Sequence, residues 1–396
     1  MNVLIVDEEV PWPLNTGKRI RSYNLLQRLQ KVHTVTYLCY GNQGGELPDC
    51  PNVTLIILPS PVIEQKGLRF YLALLLNLIS SKPYIVDRHF SSEFEDKALS
   101  LSASSHFDLV HCEWTPYTEN ISTLIGRIPS VLSAHNVEAQ IWERYYEAET
   151  NLLKKIYIYF QWQKLIRYEA SASTNYSEVS VVSEPDRKFF LEQYGCKRVT
   201  VVPNGVDEQY FTPLEVDIKP GSMVFTGSMD WRPNQDGVKY FIEEIFPIIR
   251  QRIPASTFTV VGRKPPVWLL KLAERLPGVT VTGTVDDVRP YIAGSMLYVV
   301  PLRVGGGSRL KILEAMAMEK VVLSTTVGAE GLDVEEGKQI LLRDTPQDFA
   351  DAACAVLKDS ASFSEYGKEG RALILGSYTW DAIARVMDDV WEQARV

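Results

Sequence analysis

Three consecutive glycines, Gly305, Gly306 and Gly307, run into Ser308, Arg309, Leu310 and Lys311, and Glu314 follows one turn later. A glycine-rich loop lets backbone come close to a ligand, and the first N–H groups of the helix behind it have no partner of their own. Such a stretch is a ready-made anion site. Ser308 is placed as the N-cap of that helix. Arg309 and Lys311 put two cations where a phosphate would lie, and Glu314 offers an acceptor to ribose hydroxyls. Together these residues describe a cradle for a nucleotide diphosphate. The same residues also describe a capped glycine turn with Lys311 and Glu314 as an i,i+3 surface pair. The rest of the chain decides between the two.

Two other places could do chemistry. His135, in Ser133-Ala134-His135-Asn136-Val137-Glu138, directly follows an apolar run over 130–134. A histidine just past the carboxyl end of a strand sits where doubly wound folds place ligands. There it could donate to a sugar hydroxyl or act on a phosphate; otherwise His135 and Asn136 only cap the next helix. Gly17 closes a proline-bearing loop between the apolar run Val3–Val6 and a helical pattern from Lys18 to Lys31. It could let backbone approach a substrate, or simply make a tight turn.

The elements that must position these residues appear as an alternation. Strand-like runs at 3–6, 35–40, 53–58, 109–112, 130–134, 179–182 and 199–202 are separated by helical segments or loops. After Pro203-Asn204-Gly205 comes an acidic, irregular stretch with Pro213 and Pro220, which reads as a linker. The alternation then restarts, with strands at 223–226, 258–261, 279–282, 296–301 and 321–324 and a long helix over 235–252. Their exits include Gly227-Ser228, Gly262-Arg263 and Gly283. This is the pattern of an α/β protein built from two Rossmann-like, doubly wound domains facing a central cleft. The expected boundaries are 1–205, a linker over 206–220, and 221–377.

Length and composition bound the function. A chain of 396 residues is too long for one core of common size. A net charge of −8 argues against a coat for nucleic acid, so no nucleic-acid partner is expected. The five cysteines are scattered with no CxxC, which suggests free thiols in a reducing compartment. The N-terminus lacks a basic n-region, and no apolar run reaches the length of a membrane span. The expected location is the cytoplasm, with the inner face of the membrane as a candidate contact. Three segments motivate that contact. Gly67 to Ile79 is strongly apolar, best read as a buried helix and alternatively as one dipping into a membrane surface. The first helix is basic, and Lys154 to Arg167 mixes cations with aromatic residues, best read as a solvated packed helix and alternatively as one lying on an anionic membrane.

The whole arrangement, with its Val-Pro-Asn-Gly-Val-Asp exit at 202–207 and its Leu-Glu-Ala-Met-Ala helix at 313–317, resembles the GT-B glycosyltransferases of the retaining family 4 type. The resemblance covers essentially the whole chain. It implies that the C-terminal domain holds a nucleotide-diphosphate sugar, with Glu314 on the ribose and backbone amides around Ser308, Arg309 and Leu310 on the diphosphate. Loops at Gly262-Arg263 and at Gly283, Thr284 and Val285 would wall the base, with Ser228 nearby. It places Gly17 at the donor phosphates and acceptor, and His135 near the transferred sugar. It also implies that a last helix within 378–396 packs back on the first domain.

The sequence departs from that family in two respects. Eight positions before Glu314, where a glutamate is usual, stands Gly306, and the usual Arg and Lys after the first C-terminal strand are absent. Arg309 and Lys311 are therefore expected to carry the diphosphate charge, together with Gly306 and Gly307 in the loop; Arg232 is a weaker candidate. The implied reaction moves a sugar to an acceptor hydroxyl with retention, in exopolysaccharide or other surface-glycan synthesis. No cofactor and no metal are expected, and the acceptor would be a glycan or lipid-linked. The missing glutamate also admits a silent nucleotide-sugar binder, and a sugar-nucleotide epimerase of the same fold is a further alternative.

Overall fold

The computed structural model describes residues 1–41, 46–62, 67–304 and 309–396, without the side chain of Arg69. Gly306, Gly307 and Ser308 thus lie outside the described residues. The chain divides into two compact units, Met1–Pro203 with Ile383–Val396, and Asn204–Ala382.

Among the described residues of the first unit, seven strands form one parallel sheet. They are β1 (Asn2–Asp7), β2 (Thr34–Tyr40), β3 (Val53–Leu58), β4 (Leu109–Cys112), β5 (Ser130–Ala134), β6 (Glu178–Val181) and β7 (Val199–Val201). The spatial order is β3-β2-β1-β4-β5-β6-β7. Val3, Leu4, Ile5 and Val6 of β1 and all of β4 and β5 are buried, as expected of strands covered on both faces. Order reverses between β1 and β4, so the topological switch point lies at the carboxyl ends of those two strands.

The second unit repeats the plan with six strands, β8 (Ser222–Thr226), β9 (Thr257–Val261), β10 (Val279–Val281), β11 (Leu297–Val300), β12 (Val322–Ser324) and β13 (Leu341–Leu342). They lie in the order β10-β9-β8-β11-β12-β13, again all parallel, with the switch between β8 and β11. The helix expected over 235–252 begins at Arg232 and carries a π turn at Phe241–Ile245. That turn directly precedes Phe246-Pro247, and Pro247 has no N–H to continue an α ladder.

The chain after Pro203 is anchored within the second unit. Val206 N–H donates to the Tyr378 carbonyl at 2.9 Å, and Gly205 lies so close to the Trp380 indole that a Cβ there would stand 2.7 Å from the ring. Trp380–Ala394 is the last helix, and from Ile383 onward it belongs with the first unit.

Two expectations about surfaces are corrected. The apolar helix Gly67–Asn77 is not buried: Leu68, Tyr71, Leu72, Leu75 and Leu76 are all exposed. Apolar residues at most positions give no periodicity from which a covered face could be read. Nor does the first helix, Gly17–Leu29, present a basic patch. Lys18 pairs with Asp7 and Glu8, Arg19 pairs with Glu9, and Arg21 is buried. No helix among the described residues is long and apolar enough to cross a membrane. All five cysteines are free and buried.

Candidate active site

In the first unit, a cluster of buried charge forms at the switch point. β1 ends in Asp7, and the helix that follows starts at Gly17 behind its N-cap Thr16. Gly17 is thus the first residue of that helix, and Lys18 beside it reaches back to Asp7 at 2.6 Å and Glu8 at 2.9 Å. The Tyr37 hydroxyl also donates to Asp7. Burial pushes the Asp7 carboxyl up to about 7, with Lys18 opposing. Burial acts to lower the Lys18 ammonium, but the charges of Asp7 and Glu8 outweigh it and hold Lys18 above its ordinary value. Arg21, one turn on, donates to the carbonyls of Val202 at 2.8 Å and Pro203 at 2.6 Å, which ties this helix to the end of β7.

The other side of the switch point is organised by Glu113, directly after β4. Its Oε1 lies 3.2 Å from His111 Nε2 and its Oε2 lies 3.0 Å from His135 Nε2. His135 Nε2 is also 2.9 Å from the Glu113 carbonyl. Both neighbours of that nitrogen are acceptors, so Nε2 carries the proton. Burial holds His135 below its ordinary value, with Glu113 opposing. A neutral His135 has its lone pair on Nδ1, which accepts a hydrogen bond. This corrects the expectation that His135 donates to a sugar hydroxyl. Burial acts to raise Glu113, but hydrogen bonds from His111 and His135 outweigh it and hold the carboxyl well below its usual range. His135 does not cap the following helix, Glu138–Ala148; Val137 stands at that cap, and Glu169 accepts from the N–H groups of Glu138 and Ala139.

In the second unit, Lys311 is the centre of the site. The helix runs over Leu310–Ala317, and its cap position is Arg309; Ser308, the expected N-cap, lies outside the described residues. Arg309 has φ +50° and makes no side-chain cap bond there. Its guanidinium donates to the Glu330 carbonyl at 3.2 Å and the Glu330 carboxylate at 3.3 Å. The side chain is buried against that partner, so the two cations expected at the diphosphate part: Arg309 reaches toward Glu330, whereas Lys311 turns toward β8.

Lys311 Nζ donates to Asn234 Oδ1 at 2.7 Å and lies 4.1 Å from the centre of the Phe225 ring. A Cβ on Gly227, at the end of β8, would meet Lys311 Nζ at 2.8 Å and Asn234 Nδ2 at 2.9 Å. Gly262, at the end of β9, is pressed against the Gly227 carbonyl so closely that a Cβ would stand 1.8 Å from it. Glycine at both positions lets the strand ends and Lys311 share one place. Burial pushes Lys311 down to about 7, with Glu314 opposing, and pushes Glu314 up to about 7, with Lys311 opposing. Lys311 and Glu314 are therefore not a solvated surface pair.

The remaining expected residues line this region unevenly. Gly262 N–H donates to the Gly283 carbonyl at 3.2 Å, which brings the ends of β9 and β10 together. Arg263 Nε donates to Ser228 Oγ at 2.8 Å, and Ser228 Oγ donates to Asp230 at 2.6 Å. Thr284 is exposed, and Val285 packs its side chain on the hydrophobic core, so only its backbone is left to face a base. Leu310 opens the helix with its backbone N–H outside the helical ladder. Arg232 is exposed in a depression it shares with Gln235, Asp236, Lys239 and Trp268.

Residues absent from the sequence-based set now stand out: Asp7, Lys18, Glu113 and Asn234. Asp7 and Glu113 each follow an apolar strand, and that placement was the available signal. Nothing local in the sequence joins Asn234 to Lys311.

The comparisons with known proteins fit this geometry. Residues 17–210 match the family model described as Glycosyltransferase Family 4, and residues 220–359 match the one described as Glycosyl transferases group 1. An uncharacterised 44.6 kDa protein in the cps region of Klebsiella pneumoniae is 20% identical over 405 residues, covering 95% of this chain and 96% of the relative. Sucrose-phosphate synthase of Thermosynechococcus elongatus superposes with a TM-score of 0.70 at 18% identity, over 99% of this chain and 98% of that one. HepE of Anabaena, in complex with UDP, superposes with a TM-score of 0.68 at 14% identity, over 99% of this chain and 100% of that one.

Proposed function

We propose that this chain, which is a glycosyltransferase of the GT-B type, moves a sugar from a UDP-sugar to an acceptor hydroxyl with retention at the anomeric carbon. The observation that carries this is the second-unit cluster. One helical turn presents Lys311 and Glu314 beside strand ends that two glycines bring into contact. Lys311 supplies positive charge to the diphosphate, assisted by the N–H groups of the first turn of the Leu310–Ala317 helix. Glu314 accepts from the ribose. Gly262, Gly283 and the backbone of Val285 border the base.

In the reaction, the bond from the anomeric carbon to the diphosphate breaks and the acceptor oxygen bonds to the same face of that carbon. The hydroxyl proton passes to the departing diphosphate. Negative charge grows on the leaving group, and preorganised positive groups at that point are usually the largest catalytic contribution. In this reading Lys311 and the helix amides supply that charge, and no metal ion is needed. Nδ1 of His135 accepts from a sugar hydroxyl, held by Glu113.

UDP is favoured because HepE is recorded with UDP and with UDP-glucose. A role in polysaccharide assembly is supported by the Klebsiella pneumoniae relative in a cps region. The acceptor is then a glycan or a lipid-linked sugar.

The test is incubation of the full chain with labelled UDP-sugars and glycan acceptors in the presence of a chelator. Transfer with retained configuration is expected. Epimer formation without acceptor, or binding with neither transfer nor hydrolysis, would contradict the proposal.

A further inference from the structure

Two neighbouring helices of the first unit leave apolar stripes uncovered. On Gly67–Asn77 and the turn behind it, Leu68 is 84% exposed, Leu75 62% and Ile79 87%, with Tyr71, Leu72, Leu76 and Leu78 also exposed. Positions 68, 71, 72, 75, 76 and 79 recur at the helical period, so they form one stripe. On the Leu152–Ser173 helix, Leu152 is 70% exposed and Leu153 80%, followed at the same period by Ile156, Tyr159 and Phe160.

The two helices meet. Lys164, one turn beyond Phe160, donates to the Asn77 carbonyl at 2.6 Å, and Gln161 donates to Asn77 Oδ1 at 2.7 Å. These bonds join the two helices where the first stripe ends and one turn beyond Phe160 on the second.

The stripes themselves carry no acid; Asp87 stands behind their junction and accepts from Asn77 Nδ2 at 2.6 Å. Between Gly67 and Ile79, and again between Leu152 and Tyr168, the sequence contains no Asp or Glu, although the whole chain carries a net charge of −8. The second stretch holds Lys154, Lys155, Lys164 and Arg167, with Lys154 and Arg167 exposed. Its first acid, Glu169, is buried. The acids of the helical hairpin, Glu143, Glu147 and Glu149, belong to the other helix and its C-cap.

We propose that this face docks on the surface of an anionic lipid bilayer. Leucines enter the boundary between headgroups and chains, Tyr71 and Tyr159 sit at headgroup level, and Lys154 and Arg167 meet the lipid phosphates. Charge complementarity selects this occupant over a second copy of the chain, which would bring the same cations against one another. The inference does not depend on the donor or on the reaction.

The experiment is co-sedimentation of the full chain with vesicles of phosphatidylcholine alone and of phosphatidylcholine mixed with phosphatidylglycerol. Binding to the mixed vesicles at low salt is expected, weakening as salt shortens the screening length. The Lys154→Glu, Arg167→Glu variant should lose roughly fivefold in affinity per cation. The Leu72→Glu, Leu75→Glu and the Leu152→Glu, Leu153→Glu variants should each lose about tenfold or more. These leucines are exposed, and the two pairs lie on different helices, so a folding failure in one leaves the other to decide. Wild-type protein that stays in the supernatant with the mixed vesicles, or leucine variants that sediment like wild type, would overturn the proposal. So would a dimer in light scattering that the leucine variants split, since the face would then belong to a second copy.

Discussion

The indole N–H of Trp391, on the last helix, donates to Nδ1 of His111 at 2.9 Å, and both groups are buried in the first unit. An indole can only donate, so Nδ1 of His111 is the acceptor and Nε2 faces Glu113. The end of the chain therefore fixes the orientation of a carboxylate that also holds His135. Trp391→Phe keeps much of the packing but leaves a buried nitrogen without its donor. A loss of about 1–3 kcal/mol is expected in urea unfolding. A double-mutant cycle of Trp391→Phe with His111→Phe should show coupling of about 1 kcal/mol; strictly additive losses would contradict the bond.

Glu113 joins His111 and His135, and its removal should be felt in transfer. Glu113→Gln keeps the shape but replaces an acceptor-only group with one that also presents donors. Loss of a charge-assisted bond of about 1.5–3 kcal/mol corresponds to roughly ten- to a hundredfold in turnover if His135 must be held. UDP affinity should stay unchanged. A weakened UDP site with unaltered turnover would contradict this role. The stability effect has a defined sign: the folded pKa of Glu113 lies below its ordinary 4.5, so its stabilisation is present above that value. It is lost as the pH falls through the depressed folded pKa.

Lys18 is the cation that faces Asp7 and Glu8. Lys18→Met would leave the buried Asp7 carboxylate without it. A loss of about 2–4 kcal/mol is expected at neutral pH, discounted because Lys18 is partly exposed. With the cation gone, Asp7 should prefer its protonated form, so the deficit should shrink as the pH is lowered. A thermal-melting series from pH 5 to about 8 checks this, and a deficit independent of pH would contradict it.

How far the sequence foretold this molecule depends on the range of each interaction. The short apolar runs from Val3–Val6 to Val321–Ser324 announced two parallel sheets, because strands buried on both faces have no polar alternation to hide them. Gly227, Gly262 and Gly283 were visible as strand exits. Three things were not visible. Lys311 turns to Asn234, distant in sequence, and Arg309 turns to Glu330; only the packed strands decide that two neighbouring cations part. Glu113 was one acid among many until His111 and His135 closed on it. Gly67–Asn77 is apolar all round, so its pattern could not say whether a face would be covered.

If Lys311 holds the diphosphate as proposed, UDP binding should depend on pH. Burial holds its ammonium at about 7, with Glu314 opposing and itself pushed up to about 7. The two titrate together, so the proton count belongs to the pair. A bound diphosphate favours the charged ammonium, and UDP binding above pH 7 should take up protons. Affinity should fall with rising pH, by at most about tenfold per unit. Glu314→Gln removes the carboxylate that supports the ammonium and should move the fall to lower pH. Titrations in buffers of different ionisation enthalpy measure the uptake; release of protons would contradict the sign.

The most direct measurement is calorimetric titration of UDP into wild-type protein, Lys311→Met and His135→Ala. The expected result is one saturable site in the wild type, loss of about tenfold or more in affinity in Lys311→Met, and unchanged affinity in His135→Ala. Equal UDP affinity in Lys311→Met and wild type, or no UDP binding by the wild type, would contradict the assignment of the donor site to Lys311 and Glu314.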